Sequence, residues 1–183
     1  LVLQQFEEMS QENNRLRNLL NFRQREKIEF VVSKIISRDV SLYFRTIKID
    51  RGEESGLKKG MAVVSPEGVV GKILSTSSSS SVVLLITDVN SRIDSIVQRS
   101  RQQVIVGGSP DGALNLHFLP RRQDIRQGDV LVTSGFDEIF PTGFKVGRVI
   151  GLGQDPNRVL DQAELEPVVD FNSLEEVLVV SRK

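Results

Sequence analysis

From residue 31 onward the chain never sustains a helical period: short runs of β-branched and alternating apolar residues succeed one another, cut by Gly, Pro, Asp and Ser. Residues 31–37, 44–50, 61–65, 69–75 and 82–87 read as one set of strands, and 93–98, 103–107, 113–119, 130–133, 145–151, 165–171 and 177–181 as a second. Strands this short cannot bury an apolar face by themselves. Many of them at close spacing, with no helix between, indicate a β sandwich or barrels, and hence a mainly β fold. The serine run at 77–81 reads as a polar hairpin loop joining two of them.

A weak internal repeat narrows the choice. Lys59-Gly60-Met61-Ala62-Val63-Val64 precedes Val70-Gly71-Lys72-Ile73, and Gln127-Gly128-Asp129-Val130-Leu131-Val132 precedes Val146-Gly147-Arg148-Val149. In each copy a glycine turn opens a strand, and a second glycine stands beside a basic residue in a later strand. The duplication suggests two related small barrels, each too small to be very stable alone, packed on each other. We place the first at 31–100 and the second at 101–183, with the C-terminal strands able to return to the first.

Residues 1–30 differ in kind. They hold no Gly or Pro and are rich in Gln, Glu, Arg, Leu and Asn, a helix-forming composition. Val2, Phe6, Met9, Asn13, Leu16 and Leu20 follow one another in alternating steps of four and three, the heptad seam of a coiled coil, with Phe6, Asn13 and Leu20 at a and Val2, Met9 and Leu16 at d. A buried Asn at a is satisfied by its symmetry mate in a parallel dimer and fixes register there. In the same register Glu12 at g opposes Arg17 at the following e of the other helix. A parallel homodimer through this arm is the expectation; the alternative is an amphipathic helix lying on its own domain, with Asn13 at the solvent edge.

Composition bounds the chemistry. Basic and acidic side chains balance at 24 each, which removes the clustered cationic charge that nucleic-acid binding requires. The absence of Cys excludes a disulfide framework, a thiol nucleophile and any thiolate metal site. The longest apolar run, 82–86, is too short to span a bilayer. The chain begins at Leu1 rather than Met, so an upstream signal or anchor is invisible in it.

Several stretches taken together carry a resemblance. Asp50-Arg51-Gly52, Ser55-Gly56-Leu57-Lys58-Lys59-Gly60-Met61, Glu67-Gly68-Val69-Val70-Gly71-Lys72 and Leu84-Leu85-Ile86-Thr87-Asp88 occur in order, followed by Gly128-Asp129-Val130-Leu131-Val132-Thr133-Ser134-Gly135, Phe140-Pro141-Thr142-Gly143 and Val146-Gly147-Arg148-Val149. The set resembles the rod shape-determining protein MreC family over essentially the whole chain. The resemblance implies a coiled-coil helical stalk and two small β-barrel domains on the extracytoplasmic, periplasmic face of the bacterial inner membrane, tethered by an anchor upstream. It implies a non-enzymatic scaffold without cofactor, which self-associates as a dimer or higher assembly. Its implied partners are the elongation transpeptidase (a class B penicillin-binding protein), MreD and other proteins of the elongation complex.

Barrels of this family resemble those of trypsin-like proteases, so a hydrolase must be weighed. The only histidine, His117, would be the base, Ser134 the nucleophile, and Asp124 or Asp129 the orienting acid. All fall in one short stretch, whereas that mechanism draws its residues from two barrels, and strand alternation puts His117 on the polar face opposite Leu114 and Leu116. We expect no catalytic residues. A glycan- or solute-binding β module is the other alternative, although one Tyr and no Trp leave few stacking platforms. Gly151-Leu152-Gly153 lacks the third glycine and following helix of a dinucleotide loop. Asp88-Val89-Asn90-Ser91-Arg92 lacks the central glycine and terminal glutamate of a calcium loop, so no metal site is expected. Arg99, Arg101, Arg121 and Arg122 read as solvated charges, and Glu53 and Glu54 as turn residues.

One connection looks like a partner surface. Phe136, Ile139, Phe140 and Phe144 place four large apolar side chains within one loop. The Phe-Pro-Thr-Gly context makes Phe140 structural, and we expect Phe136 and Ile139 to be the exposed, partner-binding pair.

Overall fold

The computed structural model of the chain describes residues 2–25, 28–41, 44–117, 124–153 and 162–181. One helix, α1 (Val2–Arg25), precedes twelve strands: β1 (Glu29–Val40), β2 (Arg45–Ile49), β3 (Ala62–Val64), β4 (Val69–Thr76), β5 (Ser81–Leu85), β6 (Arg92–Val97), β7 (Gln103–Gly108), β8 (Leu114–His117), β9 (Val130–Thr133), β10 (Lys145–Gly153), β11 (Gln162–Pro167) and β12 (Glu176–Ser181). All strand pairs are antiparallel. They close two six-stranded barrels, in the orders β1-β12-β3-β4-β5-β2 and β10-β11-β8-β7-β6-β9.

The two barrels share one pairing map. Adding six to each strand number of β1 to β5 in the first barrel gives its counterpart in the second, and β12 occupies the place that β6 holds there. The sequence repeat is the local trace of this duplication: Gly71 of β4 lies opposite Val63 of β3, and Gly147 of β10 lies opposite Leu131 of β9. At Gly71 only a missing side chain permits the approach, since a Cβ there would stand 2.0 Å from the carbonyl oxygen of Leu84.

The sheets do not divide at residue 100. β6 pairs with β7 and β9, so the second barrel begins at Arg92, while β12 pairs with β1 and β3 and closes the first. The first barrel is thus discontinuous in sequence. Period-two alternation shows that a segment is a strand, not which neighbour it takes, and β6 and β12 both read as ordinary buried strands.

Alternation places Ile47, Ile49, Val63, Val70, Val177 and Val179 inside the first barrel. Their outward neighbours are not in water. Phe30, Ala62, Val64, Val69, Leu178 and Val180 join the core cluster that also fills the second barrel, with Ile93, Val106, Leu131 and Leu165. Each fully buried aliphatic side chain contributes about 1.5–3 kcal/mol of transfer free energy. The two barrels therefore pack through a shared apolar seam, and β12, buried on both faces from Val177 to Val180, lies in it.

The chain crosses between barrels twice, at residues 86–91 and 168–175. The first crossing is pinned by buried Asp88. Its Oδ2 accepts from the backbone N–H of Arg45 at 2.7 Å, and its Oδ1 accepts from the backbone and side-chain nitrogens of Asn90 at 2.7 and 3.1 Å. The calcium-like motif is therefore a turn that staples β2 to the crossing. Replacing Asp88 by Ala orphans backbone donors in a dry site and should lower the unfolding free energy by about 1–3 kcal/mol. Urea denaturation checks this, with Asp88→Asn, which keeps one acceptor oxygen, losing less.

Candidate interaction surfaces

The protease-like residues do not converge. The Ser134 hydroxyl donates to the backbone carbonyl of Asp94 at 3.1 Å and accepts from the N–H of Phe136 at 3.2 Å, making it a turn-builder. Asp124 and Asp129 are both held by Arg99, with Nη1 2.6 Å from Asp124 Oδ2 and Nη2 2.9 Å from Asp129 Oδ2. Asp129 also accepts from the N–H of Arg126 at 2.9 Å. The Arg99 hydrogen bonds hold both carboxyls below the usual carboxylate range and raise the guanidinium above its own. His117 lies beside Arg92 on the polar face of β8, over Gly107, where a Cβ would stand 2.5 Å from its Nε2. Burial, then the charge of Arg92, keeps its imidazole below the ordinary histidine pKa. Its Nε2 is buried with no hydrogen-bond partner among the described residues. None of these contacts joins His117 to Ser134 or to either aspartate.

The remaining motifs are equally local. Gly151-Leu152-Gly153 is the end of strand β10, an extended segment rather than a glycine turn. Glu53 and Glu54 form a single 3-10 turn, where Glu53 accepts from the Thr76 hydroxyl at 3.0 Å. Arg99 is bound by aspartates rather than being a free surface charge, and Arg121 and Arg122 lie outside the described residues. Among the described residues no three His, Asp or Glu side chains form a metal-binding group.

Two of the stretches singled out in the sequence present apolar surface. The first is the connection between β9 and β10. Phe140 and Phe144 tuck into the core, whereas Phe136 is 70% exposed. Ile139 is half-buried and packs against the core, so the expected exposed pair reduces to Phe136 alone. The loop around it is firmly built: Asp137 Oδ1 accepts from the N–H groups of Ile139 and Phe140 at 2.9 and 3.1 Å. The Thr133 hydroxyl donates to the Pro141 carbonyl and accepts from the N–H of Phe144 at 3.0 Å. Gly143, at φ +94°, takes a backbone conformation that a residue with a Cβ rarely adopts.

The second surface is α1. Met9, Leu16 and Leu20 are exposed, at 69, 42 and 54%, and Asn13 is exposed with them. The side chains of Val2 and Phe6 fall outside those described. A different face of α1 rests on the first barrel: Lys34 Nζ lies 3.1 Å from Glu12 Oε1, Arg15 lies 2.7 Å from Glu175 and 3.3 Å from Glu176, and Leu19 is buried at 7% exposure. The Glu12 contact raises the Lys34 pKa. Glu12, expected to face Arg17 of a second helix, is thus engaged within its own chain, while Arg17 is exposed. Heptad positions c and g dock on the barrel and a and d stay open. Sequence reasoning missed Arg15 and Leu19; the available signal was Leu19 beside seam residue Leu20, a second apolar position that the heptad does not use.

Residues 35–181 match the barrel core of the rod shape-determining protein MreC family. The chain is 35% identical over 171 residues to the cell shape-determining protein MreC of Escherichia coli (strain K12), covering 93% of this chain and 47% of that protein. A solved MreC structure aligns with a TM-score of 0.88 at 30% identity, covering 94% of this chain and 99% of that one. A chain from the complex between penicillin-binding protein PBP2 and MreC from Helicobacter pylori aligns with a TM-score of 0.69 at 16% identity, over 86% of this chain and 100% of that one, a likeness of fold. The chain spans about half the length of the curated relatives it matches.

The Arg99 network has a pH signature. With its pKa held below the ordinary carboxylate value of 3.8, Asp129 contributes stability that is complete above that pH and is lost as pH falls through the lower, folded value. Melting temperatures of the wild type and Asp129→Asn should differ by a constant amount above about pH 5 and converge on acidification below 3.8.

Proposed function

The chain belongs to the MreC family of rod shape-determining proteins, and from that premise we propose that it is an extracytoplasmic scaffold of the cell-elongation machinery that pairs with a second copy of itself and binds the elongation transpeptidase. The observation that carries this reading is Phe136, a large apolar side chain left in solvent on a loop braced by the Asp137 and Thr133 hydrogen bonds. A fold that buries Phe140 and Phe144 in the same loop has every physical reason to bury a third. A preformed exposed anchor supports partner binding. That the Helicobacter pylori protein of this fold occurs in a complex with a penicillin-binding protein supports a transpeptidase as the partner.

The exposed Met9, Asn13, Leu16 and Leu20 support self-association through α1, with Asn13 pairing across the axis to set parallel register. Two copies joined in this way present two Phe136 loops to partners confined to a membrane, and the second engagement proceeds at high effective concentration. Binding that favours one conformation of the transpeptidase shifts its population toward that state. No helix among the described residues is long and apolar enough to cross a membrane.

Two measurements test this. Phe136→Ser should weaken binding to the soluble transpeptidase ectodomain on the order of tenfold while leaving the melting temperature unchanged. Unchanged affinity would remove Phe136 from the interface. Leu16→Glu with Leu20→Glu places like charges at facing seam positions, and sedimentation velocity should show the dimer replaced by a monomer with intact barrels. A dimer that persists would assign self-association elsewhere.

A further inference from the structure

The two crossings between barrels are secured in different ways. The 86–91 crossing is locked from within by Asp88. The 168–175 crossing, which leads from β11 of the second barrel to β12 of the first, has a turn of its own at Asp170, whose Oδ1 accepts from the N–H of Asn172 at 3.0 Å. A backbone bond from the Ile35 N–H to the Glu175 carbonyl at 2.9 Å also ties it down, and two arginines hold it from outside. Arg38 of β1 donates to the backbone carbonyls of Phe171 and Leu174. Arg15 of α1 reaches Glu175 through Nη2 at 2.7 Å and Glu176, at the start of β12, through Nε at 3.3 Å. The Glu176 side chain is 5% exposed, so in its dry position its charge is offset by Arg15 and by its cross-strand neighbour Lys34 rather than by solvent.

The same crossing has two other neighbours. On one side Leu19 of α1 and the Pro66-Glu67 turn share a groove with Val168, Val169 and Leu174. On the other, Val168, Val169 and Phe171 wall a cleft of about 530 Å³ between the barrels, which Arg38 and Arg45 also line. Phe171 packs against both core clusters. α1 and the inter-barrel cleft thus share the 168–175 crossing as a common neighbour.

We propose that α1 is a clamp on the 168–175 crossing: docked, it holds the crossing and the cleft wall in place, and lifted from the barrel it frees them, while the apolar seam between the barrels keeps the two bodies packed. The stalk and the inter-barrel cleft form one mechanical unit, so tension or partner binding at the helix changes the shape of the cleft some residues away. The coupling runs through named contacts, Arg15 to Glu175 and Glu176, and from them along the backbone to Phe171. It holds whichever partner the barrels take.

Hydrogen–deuterium exchange of the whole chain tests this without any partner. In Arg15→Ala, and independently in Glu175→Gln, amides of 168–175 should exchange on the order of tenfold faster than in the wild type, with those of 86–91 unchanged. The exposed Arg15–Glu175 pair weakens with salt, so raising NaCl from low concentration to about 1 M on the wild-type protein should speed the same segment selectively, a reading that needs no variant to fold. Equal exchange of 168–175 in wild type and variants, no response to salt, or acceleration spread equally over 86–91 would each overturn the clamp.

Discussion

The structure depends on the closure of the first barrel by the last strand of the chain. β12 lies between β1 and β3, and every residue from Val177 to Val180 is buried: Val177 and Val179 in the barrel interior, Leu178 and Val180 in the seam with the second barrel. Without β12 the first barrel has two open edges, and the second barrel loses part of the surface it packs on. The first barrel cannot close until the chain has passed through all of the second. Neither body is a separable module, although each has the same strand map. The contacts that close the fold are thus among the most distant in sequence, an arrangement that slows folding but makes loss of either barrel felt by both.

How much of this was legible follows from what each signal encodes. Alternation exposed the strands and the Gly-basic repeat exposed the duplication, because both are written into neighbouring residues. The strand expected at 165–171 nevertheless lies at Gln162–Pro167, since 168–171 continue the apolar pattern into the crossing, and 118–119 of the strand expected at 113–119 lie outside the described residues. The boundary at residue 100 was misplaced because β6 and β12 carry no mark of their partners. Phe136 and Ile139 looked alike in sequence, and separating them needed the turn around Asp137, which swings Ile139 onto the core. The heptad was readable, but a heptad describes one face of a helix. The face that touches the barrel is built from Glu12, Arg15 and Leu19, and the ion-pair partners Lys34, Glu175 and Glu176 lie on the strand after the helix or at the far end of the chain. Ion pairs between such distant positions leave no periodic trace.

The electrostatics sort into two kinds of work. Arg99 with Asp124 and Asp129 ties the segment before β9 to the end of β6, a local brace within the second barrel. Arg15 with Glu175 and Glu176 instead joins the first helix to the last strand, across the whole sequence. Isolated surface pairs contribute little, but a pair with one buried carboxylate has direction: losing the cation leaves an uncompensated charge, whereas losing an exposed pair leaves solvated ions. That asymmetry is why the proposed coupling of helix position to the crossing runs through the Arg15 contacts with Glu175 and Glu176 rather than through the exposed Lys34–Glu12 pair.

Rigidity also bears on why Phe136 suits recognition. An exposed aromatic on a loose loop would have to be ordered at the moment of binding, losing part of its contact energy to conformational entropy. Here Asp137, Thr133 and Gly143 have already fixed the backbone, and Phe140 and Phe144 anchor the loop from beneath. The side chain retains only its own two torsions to settle. The same reasoning applies to α1, whose seam residues are held at a set angle to the barrel by Leu19 and the Arg15 contacts. A second helix seated on that seam meets a surface already oriented, so the position of one barrel relative to the other copy follows from contacts within each chain. In the proposed dimer, for as long as α1 stays docked, partners meet a geometry set before they arrive, which a flexible tether lacks.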